Sequence, residues 1–225
     1  MGIILPQEKK KEAATVNYHN IASKNLLLIF TRNPELGKCK TRLAATVGNE
    51  SALEIYKFLL HHTANLSKNV SAAKQVWYSE EVWENDIWDN AIFDKRLQQG
   101  TDLGVRMANA FQAGFASGFE RIIGIGSDMY DLNQKDLEKA FAALKNKDFV
   151  IGPAEDGGYY LLGMTEFKDE VFKNKAWGTD TVLQDTLKDL PDLNTQLLEV
   201  RNDVDVYTDI EAIAAFEPFL KHLKK

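Results

Sequence analysis

Three cations crowd one short stretch of this chain. Lys38, Lys40 and Arg42 close the segment NLLLIFTRNPELGKCKTRL, residues 25–43. Like charges at that spacing repel one another, and a bound anion relieves the repulsion. A glycine-bearing loop that ends a buried strand suits a phosphate; a charged surface loop is an equal reading of this stretch alone. Carboxylates are the second ingredient. Asp128 ends the run IGIGSD, Asp156 lies in GPAEDGGYY, and Asp203 and Asp205 alternate in DVDVYTDI. Carboxylates at such positions hold Mg²⁺ or Mn²⁺, which in turn hold phosphates. Asp203 and Asp205 are two apart, so in extended chain they share a face and one of them can supply a second metal carboxylate.

Each motif has a plainer alternative. Asp128 could cap a helix, although Asp131 or Asn133 is better placed for that. Asp156-Gly157-Gly158 could be a hairpin turn, and Asp203 to Asp209 a paired cap and turn. In QQGTDLGVRM, residues 98–107, Gln98 or Gln99 offers an amide to a base edge. Gly100 and Gly104 permit close approach, and Thr101 or Asp102 caps the following helix.

Other chemistries find little support. None of the four histidines falls in a motif, and no Ser or Cys triad assembles. The single cysteine, Cys39, excludes an intrachain disulfide and a cysteine zinc cluster; beside lysines it is either a reactive thiolate or, more in keeping with its loop, a tolerated residue. A net charge of −6 argues against a general nucleic-acid binder. No apolar run reaches the roughly 18 residues that span a bilayer, and the first residues lack the order of a secretory signal. The expectation is a cytoplasmic enzyme or binding protein.

The elements that must carry these groups alternate. Strands are expected at residues 26–31, 74–79, 121–127, 149–152, 159–164 and 196–200. Helices are expected at 50–68, 102–118, 134–146, 179–190 and 209–224, with Leu53, Tyr56, Phe58, Leu59 and Leu60 on the buried face of the first. The second carries a stripe of Val105, Met107, Phe111 and Phe115. Residues 80–90 read as irregular, with Trp83 and Trp88 marking an interface or an acceptor lid. Residues 1–23 read as a flexible extension and 24–225 as one α/β domain with a mixed, mainly parallel sheet covered on both faces. In such sheets ligands sit beyond the carboxyl ends of the strands, where every motif above falls.

Together the blocks RNPELGKCKTRL, QGTDLGVRM, GIGSDMYDL, GPAEDGGYYLLG and DVDVYTDI resemble, in order, a bacterial glycosyltransferase-like family once classed as a domain of unknown function. Its members are called radical-SAM/selenodomain-associated transferases or arsenosugar-biosynthesis glycosyltransferases. The resemblance covers about residues 25–215. It implies a Rossmann-like GT-A-type fold of the nucleotide-diphospho-sugar transferase superfamily, similar also to 2-phospho-lactate and molybdenum-cofactor guanylyltransferases. By position it implies that Gly37, Lys40 and Arg42 cradle nucleotide phosphates, with Arg32 standing where the family has lysine. Gln98, Gly100 and Arg106 would lie near the base or phosphates. Asp128 and Asp205 would hold Mg²⁺ or Mn²⁺, and Asp156, Gly157 and Gly158 would border the acceptor or sugar. Lys40, Arg42 and Asp128 would then be catalytic, the donor a nucleotide or nucleotide sugar and the acceptor a small molecule, with a homodimer possible. The implied reaction is glycosyl transfer; nucleotidyl transfer with pyrophosphate release, or nucleotide binding without catalysis, are its alternatives. Met129-Tyr130 departs from the pattern, since the family has proline after the residue following Ser-Asp.

Overall fold

The computed structural model describes residues 23–191 and 193–223; the extension expected at 1–23 falls almost wholly outside them. Seven strands make one sheet: β1 (Asn25–Thr31), β2 (Ala73–Tyr78), β3 (Asp94–Leu97), β4 (Arg121–Gly126), β5 (Phe149–Pro153), β6 (Tyr159–Met164) and β7 (Thr195–Leu197). Their order is β3-β2-β1-β4-β6-β5-β7. All neighbours are parallel except the two pairs made by β6, which runs against β4 and β5.

β1 shows why the sheet is buried on both sides. Leu27 and Ile29 face one core, and Leu26 and Leu28 face the other. Successive side chains of a strand point to opposite faces, so only a continuous apolar run serves a strand covered twice. All four are fully buried, worth about 2 kcal/mol each against an exposed state. Helices α2 (Asn49–Ser67) and α4 (Gln134–Ala143) cover the first face, and α3 (Leu103–Ala116) with α5 (Val182–Lys188) the second.

A short helix, α1 (Thr41–Val47), follows the cationic loop and packs with α2 and the C-terminal segment in a third apolar cluster. The helix expected at 209–224 does not form as such. The segment breaks into single turns, Tyr207–Asp209, Ala214–Phe216 and Lys221–Leu223, around a four-residue α6 (Glu217–Leu220). Pro218 stands in the first turn of α6, where its missing N–H is tolerated but a continuous helix is not. Asp209 bonds backward to the N–H groups of Asp205 and Val206, 2.8 and 2.6 Å, and so holds a turn.

Two further expectations need correction. Val105 lies on the outside of α3, 41% exposed, and the buried stripe runs instead through Gly104, Met107, Ala108 and Phe111. Trp88 is no lid: it is buried edge-on against Phe93. Among the described residues no helix is long and apolar enough to cross a membrane.

Candidate active site

Two cavities lie side by side at the carboxyl ends of β1 and β4. They share Phe30, Leu103, Gly126 and Asp128 as a common wall. The larger, about 630 Å³, receives Arg32, Lys40, Arg42 and Arg106; the smaller, about 240 Å³, is walled mainly by aromatic and aliphatic side chains.

The cationic cavity begins with Lys40. Its backbone is left-handed, φ 48° and ψ 46°, a conformation that costs a non-glycine residue about 1–2 kcal/mol. From that backbone its side chain lies 6% exposed, and Nζ donates to Asp128 Oδ2 at 2.8 Å. Burial opposes the ammonium charge, but Asp128, with Asp205 and Asp203 behind it, more than offsets this and lifts the pKa above the ordinary lysine value. Arg42 pairs with Asp205. Arg32 and Arg106, by contrast, have no carboxylate partner among the described residues, although both face the same cavity.

A buried polar network fixes these strand ends. The Tyr56 hydroxyl accepts from Arg32 N at 2.9 Å and lies 3.3 Å from Ser127 Oγ. Ser127 in turn donates to Thr31 Oγ1 at 3.1 Å, and Thr63 of α2 donates to the Ser127 carbonyl at 3.1 Å. β1 and β4 are thereby locked together just where Arg32 and Asp128 leave them. Burial pushes the Tyr56 hydroxyl pKa up, so it remains a neutral tie. Gln98 also serves the frame: its amide nitrogen donates to the Trp77 and Thr31 carbonyls, 2.8 and 3.3 Å, so any base contact falls to Oε1.

The glycines act mostly as frame. Gly37, at φ 74°, turns the loop before Lys40 and lines neither cavity. Gly100 accepts from Arg106 Nε at 3.2 Å, and a Cβ there would meet Val105 Cγ1 at 2.7 Å. Asp156-Gly157-Gly158 is the β5–β6 hairpin and also the rim of the smaller cavity. Gly158 N donates to Asp156 Oδ1 at 2.9 Å, and both residues line that cavity. Gly157, at φ 86°, lies so near Asp180 that a Cβ would fall 2.2 Å from its carbonyl oxygen.

Asp203 and Asp205 straddle the common wall, Asp203 on the apolar side and Asp205 on the cationic side. Burial first, then the neighbouring Asp128, push the Asp203 carboxyl up to about 6. Sequence spacing named the pair without separating the two. The network of Tyr56, Thr31 and Ser127, and the wall residues Phe30 and Trp177, carried no signal in the sequence, because ordinary core residues look the same.

Could these oxygens hold a divalent ion? Hard carboxylate donors suit Mg²⁺ or Mn²⁺, and Asp128 lies near enough to Asp203 to add to the rise that burial gives its carboxyl. Among the described residues, however, no three ligating side chains gather at metal spacing. The set therefore fits an ion that arrives with phosphates and takes Asp128 and Asp205, since Mg²⁺ needs only one or two carboxylates beside its phosphate oxygens. It does not fit an all-protein cage.

Residues 62–179 match the family model described as uncharacterized protein conserved in bacteria (DUF2064). The chain belongs to that family. A crystal structure of a proposed nucleotide-diphospho-sugar transferase from Desulfovibrio desulfuricans G20 is similar at 30% identity and TM-score 0.79, covering 90% of this chain and 96% of that one. More distant likenesses show the fold alone. A cytidylyltransferase from Leptospira borgpetersenii matches at 15% identity and TM-score 0.54, covering 90% of this chain and 94% of its own. A 4-diphosphocytidyl-2C-methyl-D-erythritol synthase from Anaerococcus prevotii matches at 8% and 0.52, covering 90% and 97%. No curated protein matches the sequence. The mixed, mainly parallel seven-stranded sheet of this family member is thus that of nucleotide-diphospho-sugar transferases and cytidylyltransferases.

Proposed function

We propose that this protein is a metal-dependent, nucleotide-using transferase that moves a sugar from a nucleotide-diphospho-sugar to a small acceptor. One observation carries the reading. A cavity ringed by Arg32, Lys40, Arg42 and Arg106 meets a second cavity at the single carboxylate Asp128. Donor phosphates belong among the cations, and the acceptor belongs across the common wall.

In the proposed reaction Lys40 and Arg42 hold the diphosphate and stabilise the charge that grows on it. The acceptor hydroxyl oxygen forms a bond to the sugar C1 as the bond from C1 to the β-phosphate oxygen breaks. The electron pair leaves with the nucleoside diphosphate, and the hydroxyl proton passes to a carboxylate on the rim, Asp156 or Asp203. Asp128 and Asp205 would hold Mg²⁺ or Mn²⁺, whose contribution is further neutralisation of the phosphates. Alignment and charge stabilisation suffice for such chemistry, and no covalent residue is required. A second reading, nucleotidyl transfer with pyrophosphate release, is favoured by the number of cations, which suits a triphosphate.

The test is a thermal-shift screen of nucleoside triphosphates and nucleotide-diphospho-sugars with and without Mn²⁺. A ligand specific for the folded state at 100 times its Kd adds about 2.7 kcal/mol of stability. A metal-dependent shift with one nucleotide sugar, lost in Lys40→Ala, is expected. No shift with any nucleotide overturns the proposal. Pyrophosphate release from a triphosphate, without turnover of nucleotide sugars, transfers it to the second reading.

A further inference from the structure

We infer that the acceptor is a small uncharged molecule that presents a hydroxyl from an apolar body of one or two rings, seated in the 240 Å³ cavity, and that it is not a phosphorylated compound. The inference rests on the cationic cavity being the nucleotide site, and it deepens that reading by naming the acceptor class.

The walls are the first argument. Apolar and aromatic side chains, Phe30, Met107, Phe111, Tyr159, Leu162 and Trp177 among them, make up most of the lining. A dry cavity of roughly 150 Å³ lined by such side chains takes a benzene ring, so this one has room for a ring and a substituent. A phosphate buried among these groups would have its charged oxygens without a cationic partner.

Charge is the second argument. Asp128, Asp156 and Asp203 line the cavity, and among the described residues neither lysine nor arginine does. Lys40 reaches Asp128 from the opposite side, where it lines the other cavity. An anion seated here would face three carboxylates, of which Asp128 is paired with Lys40, while Lys40, Arg42, Arg32 and Arg106 line the neighbouring cavity instead. A hydroxyl on the acceptor would instead find carboxylate oxygens to receive its hydrogen.

The wall is also built in advance. Segment 172–182 carries Trp177, whose ring stands edge-on to Tyr159 at 6.4 Å between centroids. Two glycine contacts pin the segment. A Cβ on Gly104 would lie 2.4 Å from the Phe172 carbonyl oxygen and 2.6 Å from Trp177 Nε1, and the Gly157 contact with Asp180 secures the far end. Aromatic surfaces fixed before binding lower the ordering cost of an apolar ligand.

A matched pair of probes tests this: 4-methylbenzyl alcohol and 4-methylbenzyl phosphate, titrated into the full chain with inorganic pyrophosphate and Mg²⁺ in excess to fill the cationic cavity, and followed by ligand-observed NMR. The alcohol is expected to bind at least 10-fold more tightly than the phosphate. Val182→Trp, which fills the cavity, should remove alcohol binding and keep the nucleotide-induced thermal shift. Trp177→Ala, at a half-buried position, carries the same test if the first variant does not fold. Asp156→Asn, at the exposed rim, should narrow the gap between the two probes. Equal or tighter binding of the phosphate overturns the inference, as does failure of both probes in a protein that still binds nucleotide. Alcohol binding without any nucleotide binding keeps the cavity assignment and strikes the nucleotide reading instead.

Discussion

At the scale of single residues, Lys40 does two incompatible jobs in turn. It is the countercharge of Asp128 in the free protein, at 2.8 Å, and a phosphate ligand in the proposed complex. A bare divalent ion must therefore displace an ammonium to reach Asp128. Lys40→Ala should weaken nucleotide binding at least 10-fold, yet let Mn²⁺ alone bind more tightly, as isothermal titration with MnCl₂ will show. Unchanged nucleotide affinity would remove Lys40 from the phosphate site. Asp128→Asn strands the buried ammonium; with Asp128 itself about a third exposed, the loss of stability should be about 1–2 kcal/mol in urea melts. Cys39 is the contrasting case. It is 3% exposed, and burial pushes its thiol pKa up, so the neighbouring cations do not make it a reactive thiolate. Alkylation by iodoacetamide at pH 8 should run at least 10-fold slower in the folded protein than in urea, and comparable rates would contradict this burial.

At the scale of elements, the hairpin between β5 and β6 is held to the chain at the start of α5 by Gly157, which packs against Asp180 and accepts from Leu183 N at 2.9 Å. Gly157→Ala adds both a strained backbone at φ 86° and a collision with backbone that cannot swing away. It should cost about 2–4 kcal/mol, read as a lowered urea midpoint. Elements of this kind divide into those a sequence displays and those it hides. β1 and β4 are visible as unbroken apolar runs, and α2 as a long amphipathic period, because burial dictates both patterns. β3, with the sequence DKRL, is an edge strand paired on one side only, so nothing demands an apolar run there. α1 has seven residues and starts from a left-handed lysine, a geometry no propensity announces. The apolar spacing that suggested a helix at 209–224 is real, since Ile210, Phe216 and Leu220 are buried, but turns satisfy it as well as a helix does. For the site, charge and order in the chain brought Lys40, Arg42, Asp128 and Asp205 to notice. The division of labour between Asp203 and Asp205 needed the third dimension.

Across the whole molecule, one reversal organises the site. β6 runs against its neighbours, so a tight turn stands at the carboxyl end of the sheet beside Asp128, where a parallel strand would have brought the start of a crossover. Half of the residues that line the smaller cavity come from one continuous stretch, 154–182, and the rest come mainly from β1, α3 and the end of β4, with Asp203. The larger cavity takes its cations and much of the rest of its lining from 32–42 and 98–106. On the proposed reading, much of the acceptor side and much of the donor side are thus encoded in separate lengths of gene. Exchanging residues 154–182 between two members of the family should transplant acceptor preference and leave the preferred nucleotide alone, as paired competition assays on the parents and the chimaera would show. A chimaera that changed nucleotide instead would mean the wall is no boundary. If the graft behaves as expected, the lineage could alter what it modifies without relearning how to hold the donor.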